Sequence, residues 1–168
     1  MPPPCSGSRP GRRLAGLLFA GCFLVCFAAG CSGPAQDDAP APEPAPADLR
    51  VVLGTGGGFA GLWEGYTVEP DGTVLAWEGR APEAGARPVG RLSAEVRDAV
   101  WRHLRTADFF AQQSRGTGNM TGLLEVVAGD STHTVRWPVG LSAEGATVHP
   151  GRLYDALKNL IERAVDDG

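Results

Sequence analysis

The sequence predicts an α+β domain, with an antiparallel sheet of four to five strands and two helices packed on one of its faces. Three observations carry this expectation. Short stretches of alternating apolar and polar residues recur with turn residues between them, most clearly around Pro70-Asp71-Gly72. Two longer stretches repeat apolar residues at helical spacing. The resulting order is strand, strand, strand, helix, strand, strand, helix. It holds hairpins and no βαβ repeat, which favours helices segregated on one side of an antiparallel sheet.

Residues 49–53 form the first strand, stopped by a run of glycines. The second covers 63–69 with Tyr66 and Val68 on one face. Pro70-Asp71-Gly72 makes a tight turn into the third, 73–78, with Leu75 and Trp77 on one face. Residues 79–90, rich in Gly, Ala, Pro and Arg, read as a loop. Ser93 caps the first helix, and Glu95 complements the dipole of its first turn. Val96, Ala99, Val100 and Leu104 form its apolar stripe, and Phe109-Phe110 pin its exit into the core. After a polar loop over 111–120 come a strand at 122–128, the turn Gly129-Asp130 and a partner strand at 132–137, stopped by Pro138. Pro150 suits the first turn of the second helix, whose stripe is Leu153, Leu157, Leu160, Ile161 and Ala164.

The N-terminal third has another organisation. Arg9, Arg12 and Arg13 precede an apolar run over 14–29, which ends in Ala28-Ala29-Gly30-Cys31. A basic start, a short apolar centre and small residues at the end mark an export signal. The run is shorter than the roughly 20 residues a membrane-spanning helix needs. Its end resembles the lipobox of bacterial lipoproteins, with Ala28 where Leu is usual. The resemblance implies cleavage after Gly30 and lipid on the Cys31 thiol. It places the protein in the cell envelope, held to a membrane and facing an extracytoplasmic space. Ser32 rather than Asp after the cysteine fits outer-membrane sorting in a cell with two membranes. Residues 1–30 are then signal peptide, 31–48 the lipidated cysteine with a Pro/Ala-rich spacer, and 49–168 one domain. A polyproline II bias would let the spacer reach roughly 50 Å.

Composition excludes several functions. All four cysteines lie at positions 5, 22, 26 and 31, so the folded part has no thiol and no disulfide. The first 30 residues hold three Arg and no acid, leaving 12 basic and 19 acidic residues beyond them. Such a balance does not suggest nucleic acid. His103, His133 and His149 share no metal-ligand spacing, and a helix-face, strand-face or cap role fits each. Ser114 and Ser142 have no base nearby in sequence, no Gly-x-Ser-x-Gly elbow occurs, and nothing nominates Asp108 and Glu125 as a carboxylate pair. No catalytic residue, metal site or cofactor is expected.

One segment invites a contact. Residues 56–61, Gly-Gly-Gly-Phe-Ala-Gly, match G-x-G-x-x-G after a strand. A dinucleotide site needs a helix next, whereas Leu62-Trp63-Glu64-Gly65-Tyr66 reads as strand. Two readings remain: a plain glycine turn, or an open loop whose backbone a partner approaches, with Phe59 and its neighbours as anchors. The candidate partner-binding residues are Gly57, Gly58, Phe59, Ala60, Gly61, Leu62 and Trp63. The tryptophans are otherwise core or sheet-face residues.

Several of these pieces occur together in one known family. Gly57-Gly58-Phe59-Ala60-Gly61 follows an N-terminal strand, Ala107-Asp108-Phe109-Phe110 ends a helix, and a hairpin carries Thr132-His133-Thr134-Val135 before a Leu-rich terminal helix. Over most of 49–165 this resembles the emfourin family, bacterial protein inhibitors of thermolysin-like metallopeptidases. The resemblance implies an α+β fold, no catalytic residue, no cofactor and a loop surface that occludes a peptidase cleft. The chain departs from the family in its signal sequence, its Trp-bearing hairpin over 63–79 and its Gly118-Asn119-Met120 segment. The alternative expectation is a structural or assembly lipoprotein of the envelope without inhibitory activity.

Overall fold

The computed structural model describes residues 43–140 and 149–167, so Cys31, the signal segment and Ser142 lie outside the described residues. Six strands form one antiparallel sheet: β1 (Arg50–Gly57), β2 (Leu62–Val68), β3 (Thr73–Gly79), β4 (Arg87–Arg91), β5 (Met120–Ala128) and β6 (Ser131–Pro138), in the order β4-β3-β2-β1-β5-β6. Helices α1 (Ala94–Thr106) and α2 (Pro150–Asp166) complete the α+β architecture.

The sixth strand corrects the expected four to five. β4 lies within the stretch read as a loop. Arg87-Pro88-Val89-Gly90-Arg91 has no apolar alternation, and it tolerates Pro88 because it is an edge strand. Gly90 lets the end of α2 approach, since a Cβ there would sit 3.1 Å from Val165. β1 is also longer than expected. The glycines expected to stop it are paired strand residues, Gly54 with Gly65 and Gly56 with Trp63.

Cross-strand register sorts the side chains. Val51, Leu53, Val68, Val74, Leu124, Val126, Val135 and Trp137 line one face, and they pack against Val100, Trp101 and Leu104 of α1 and Leu153, Tyr154, Leu157 and Ile161 of α2. Ser93 Oγ accepts the Val96 N–H at the start of α1. Asp108, at φ 48°, turns the chain out of the helix into a single 3₁₀ turn (Phe109–Ala111), and the fully buried Phe109 closes the core. At α2, His149 Nδ1 accepts the Gly151 N–H and Pro150 occupies the first turn.

The other face carries a smaller cluster of Val52, Trp77 and Leu123, with Trp63 packed against it. It is built on missing side chains. The Trp77 indole lies over Gly54 and Gly65, and the Trp63 ring lies over Gly56. The loop after β3 folds across this cluster. Trp77 Nε1 donates to Thr67 Oγ1, which donates to Glu83, and Glu83 also accepts from Arg50. This network holds Glu83 at a left-handed φ of 62° and keeps Trp77 buried on the face without helices.

The last residues of the expected spacer belong to this assembly. The Ala45 N–H donates to Asp98 at 2.8 Å, Arg97 donates to the Pro46 carbonyl, and Arg105 pairs with Glu43. Ala45 packs against the main core. Every strand pairing and core contact described here lies within residues 43–167, so that part of the chain carries its own core.

Candidate protein-docking site

The glycine run is the β1–β2 turn. Gly57, Gly58 and Gly61 have φ of 113°, 66° and 62°, values that favour glycine. The Gly58 N–H donates to the Asn119 carbonyl, and that of Gly61 to Gly58. A strand follows the turn, so no helix N-terminus faces the glycines.

This turn leaves Phe59 at its apex with the side chain fully in solvent, and Ala60 beside it is exposed. Leu62 is also exposed. Trp63 goes the other way: its ring covers Gly56 on the helix-free face and is only half-exposed. Of the seven residues the sequence nominated, Phe59, Ala60 and Leu62 present side chains, the three glycines shape the turn, and Trp63 supports the sheet.

Two further residues complete the same end of the molecule. Met120 and Leu62 are the register partners of Gly57 on its two sides, and the Val139 N–H donates to the Met120 carbonyl. Phe59, Leu62, Met120 and Val139 are the exposed large apolar residues among the described residues, and all four gather at this one end. Sequence reasoning missed Met120 and Val139 because a lone Met in a polar loop and a Val after Pro138 carry no periodic signal. Pairing across β1, β5 and β6 brings them together.

Leu62, Gly57 and Met120 frame a notch of about 210 Å³ whose lining includes Glu64 and Glu78. Those two carboxylates also line an adjoining cavity of about 260 Å³ with Tyr66, Arg87, Tyr154, Lys158 and Glu162. Glu64 and Glu78 are direct cross-strand partners. Like charges placed so oppose folding, and neither makes an ion pair among the described residues. Lys158 pairs instead with Glu162, 3.8 Å away, and Tyr66 donates to the same carboxylate. Burial pushes the Tyr154 hydroxyl up to about 12, against the opposing effect of the neighbouring Thr55 side chain. Burial and the neighbouring Glu162 raise Tyr66 as well.

The other chemical candidates stay apart. His103 is exposed on α1, His133 stacks edge-on against Phe109 with Nε2 2.9 Å from the Gln112 carbonyl, and His149 caps α2. Among the described residues no three His, Cys, Asp or Glu side chains are grouped as a metal site would need. Ser114 ties its loop to β6 through Thr134 and Arg136. Glu125 accepts from Thr134 on the helix-free face, while Asp108 ends α1 on the other. No described helix is long and apolar enough to cross a membrane. No protein-family model matches this sequence, and no curated protein is detectably similar to it.

Proposed function

We propose that this chain is an envelope lipoprotein, anchored through lipid on Cys31, whose domain binds another protein through the Phe59 end and performs no chemistry of its own. The observation that carries the binding role is the gathering of Phe59, Leu62, Met120 and Val139, all exposed, at one end of the sheet. A free aromatic side chain on a turn is a typical anchor for a partner's pocket. The glycines beside it allow close approach to the backbone.

The emfourin resemblance supplies the class of partner: a thermolysin-like metallopeptidase whose cleft accepts the 57–63 turn, with Phe59 in an apolar specificity pocket. Residues 43–168 should slow thermolysin-like enzymes acting on a peptide substrate, and Phe59→Ala should abolish the effect while leaving unfolding unchanged within about 0.5 kcal/mol. Absence of inhibition across a panel of such enzymes removes the peptidase as partner. Inhibition untouched by Phe59→Ala moves the contact elsewhere. The anchor is tested separately: labelled palmitate should enter the full-length chain and not its Cys31→Ser variant.

A further inference from the structure

The apolar end and the carboxylate pair are parts of one surface. Leu62 and Glu64 are two residues apart on β2, so they share a face about 7 Å apart. Met120 stands across Gly57 from Leu62, two strand spacings or about 10 Å away. Gly57 contributes no side chain to the space between; the Asn119 carbonyl lies where its Cβ would point, and Leu62 and Met120 flank it on the two sides. Glu64 and Glu78 lie at the edge of the notch, and Arg87 lines only the adjoining cavity.

We propose that this surface selects a protein segment in extended form that carries an apolar residue and, two positions away, a Lys or Arg. The apolar side chain sits over Gly57 between Leu62 and Met120, and the basic side chain reaches the Glu64–Glu78 pair. In an extended chain, residues two apart lie on the same side at about 7 Å, while Glu64 and Glu78 lie about 8 and 12 Å from Gly57, so the length of a Lys or Arg side chain makes up the difference. The inference rests on the proposed protein-binding role of this end and narrows the chemistry of its partner.

Charge complementarity decides between a protein and a bilayer as occupant. Four exposed apolar side chains could also dip into lipid. Two unpaired carboxylates directly beside them would meet the negative potential of an anionic membrane surface. A basic residue in a protein partner relieves the repulsion between them; Arg87 and Lys158 share the adjoining cavity, but neither forms an ion pair with Glu64 or Glu78.

Two blocked pentapeptides test this against residues 43–168: acetyl-Gly-Leu-Ala-Lys-Gly-amide and its counterpart with Glu in place of Lys. The readout is amide chemical-shift titration. The Lys peptide should shift residues 57–64, 78 and 120, and bind at least about threefold tighter than the Glu peptide, as two exposed charge contacts would give. That preference should disappear in the Glu64→Gln/Glu78→Gln double variant, whose exposed positions leave the core untouched. Equal binding of the two peptides, no binding of either, or a preference that survives the double variant overturns the proposal. Flotation of residues 43–168 with phosphatidylglycerol vesicles, lost in Phe59→Ala, would overturn it in favour of lipid. Peptidase inhibition that persists in the double variant removes this inference and keeps the proposed function. Selective peptide binding without peptidase inhibition does the reverse for the peptidase.

Discussion

Trp77 lies across Gly54 so closely that a methyl group on Gly54 would come within 2.3 Å of the indole Cη2. The glycine is part of the tryptophan's site: its missing side chain is the space the ring occupies. Gly54→Ala should therefore destabilise the domain by about 1–3 kcal/mol, the usual cost of overpacking. Urea unfolding checks this. Trp77→Leu in the same chain should recover part of the loss, because the two changes share one contact. Purely additive losses would mean that the Glu64 carbonyl, 2.6 Å from the same added carbon, is the obstacle.

The same pairing explains what the sequence did and did not disclose. The Pro70-Asp71-Gly72 hairpin, the Ser93 cap and the apolar stripe of α2 rest on local chemistry, and each lies where its residues predicted. Glycines 54 and 56 looked like the end of a strand because their filling comes from Trp77 and Trp63 on neighbouring strands. Trp77 was expected on a face with Leu75, and it is, but that face has no helix; a network from Thr67 to Glu83 buries it there. β4 was illegible because an edge strand needs no apolar alternation. At the candidate site, Phe59 was legible as an aromatic in a glycine run. Met120 and Val139 were not, since their proximity is created by strand pairing.

Stability should fall in alkali. A folded-state value of about 12 for Tyr154, above the ordinary 10, means the native protein holds this proton where the unfolded chain has lost it. The stabilisation is complete below pH 10 and is lost as pH rises from 10 to 12. Because the hydroxyl is partly screened by solvent, the loss is roughly 1–2 kcal/mol. Tyr66 acts in the same direction. Tyr154→Phe should lose most of this alkaline sensitivity and change stability at neutral pH by less than about 1 kcal/mol. Tyrosinate absorbance reports the titration directly, and two ordinary tyrosines near pH 10 would contradict it.

Glu64→Gln should raise the stability of the free domain. Removing one of two like charges placed directly opposite on adjacent strands is worth about 0.2–1 kcal/mol. The gain should shrink in high salt as the repulsion is screened. Glu78→Gln should behave alike, and the double variant should gain less than the sum. Thermal unfolding at low and high salt measures both, and unchanged midpoints would show that the two carboxylates do not oppose each other.

Residues 43–48 should contribute to folding. A chain that begins at Leu49 lacks the Ala45–Asp98 and Pro46–Arg97 hydrogen bonds and the packing of Ala45 on the core. It should be less stable than one that begins at Glu43 by about 1–2 kcal/mol. Urea midpoints of the two lengths decide it, and equal midpoints would mean that the segment rests on α1 without supporting it.

That clasp also sets a leash. With Cys31 lipidated as proposed, the eleven residues 32–42 join the anchor to Glu43. Drawn straight they span only about 40 Å. A domain confined to so small a volume meets its neighbours on the same membrane at an effective concentration in the millimolar range, while anything beyond the arc is out of reach. Modest contacts at the Phe59 end would then be saturated by a membrane-bound partner, whereas one free in solution would have to be supplied at high concentration. Locking six residues of spacer onto α1 converts a question of affinity into one of distance.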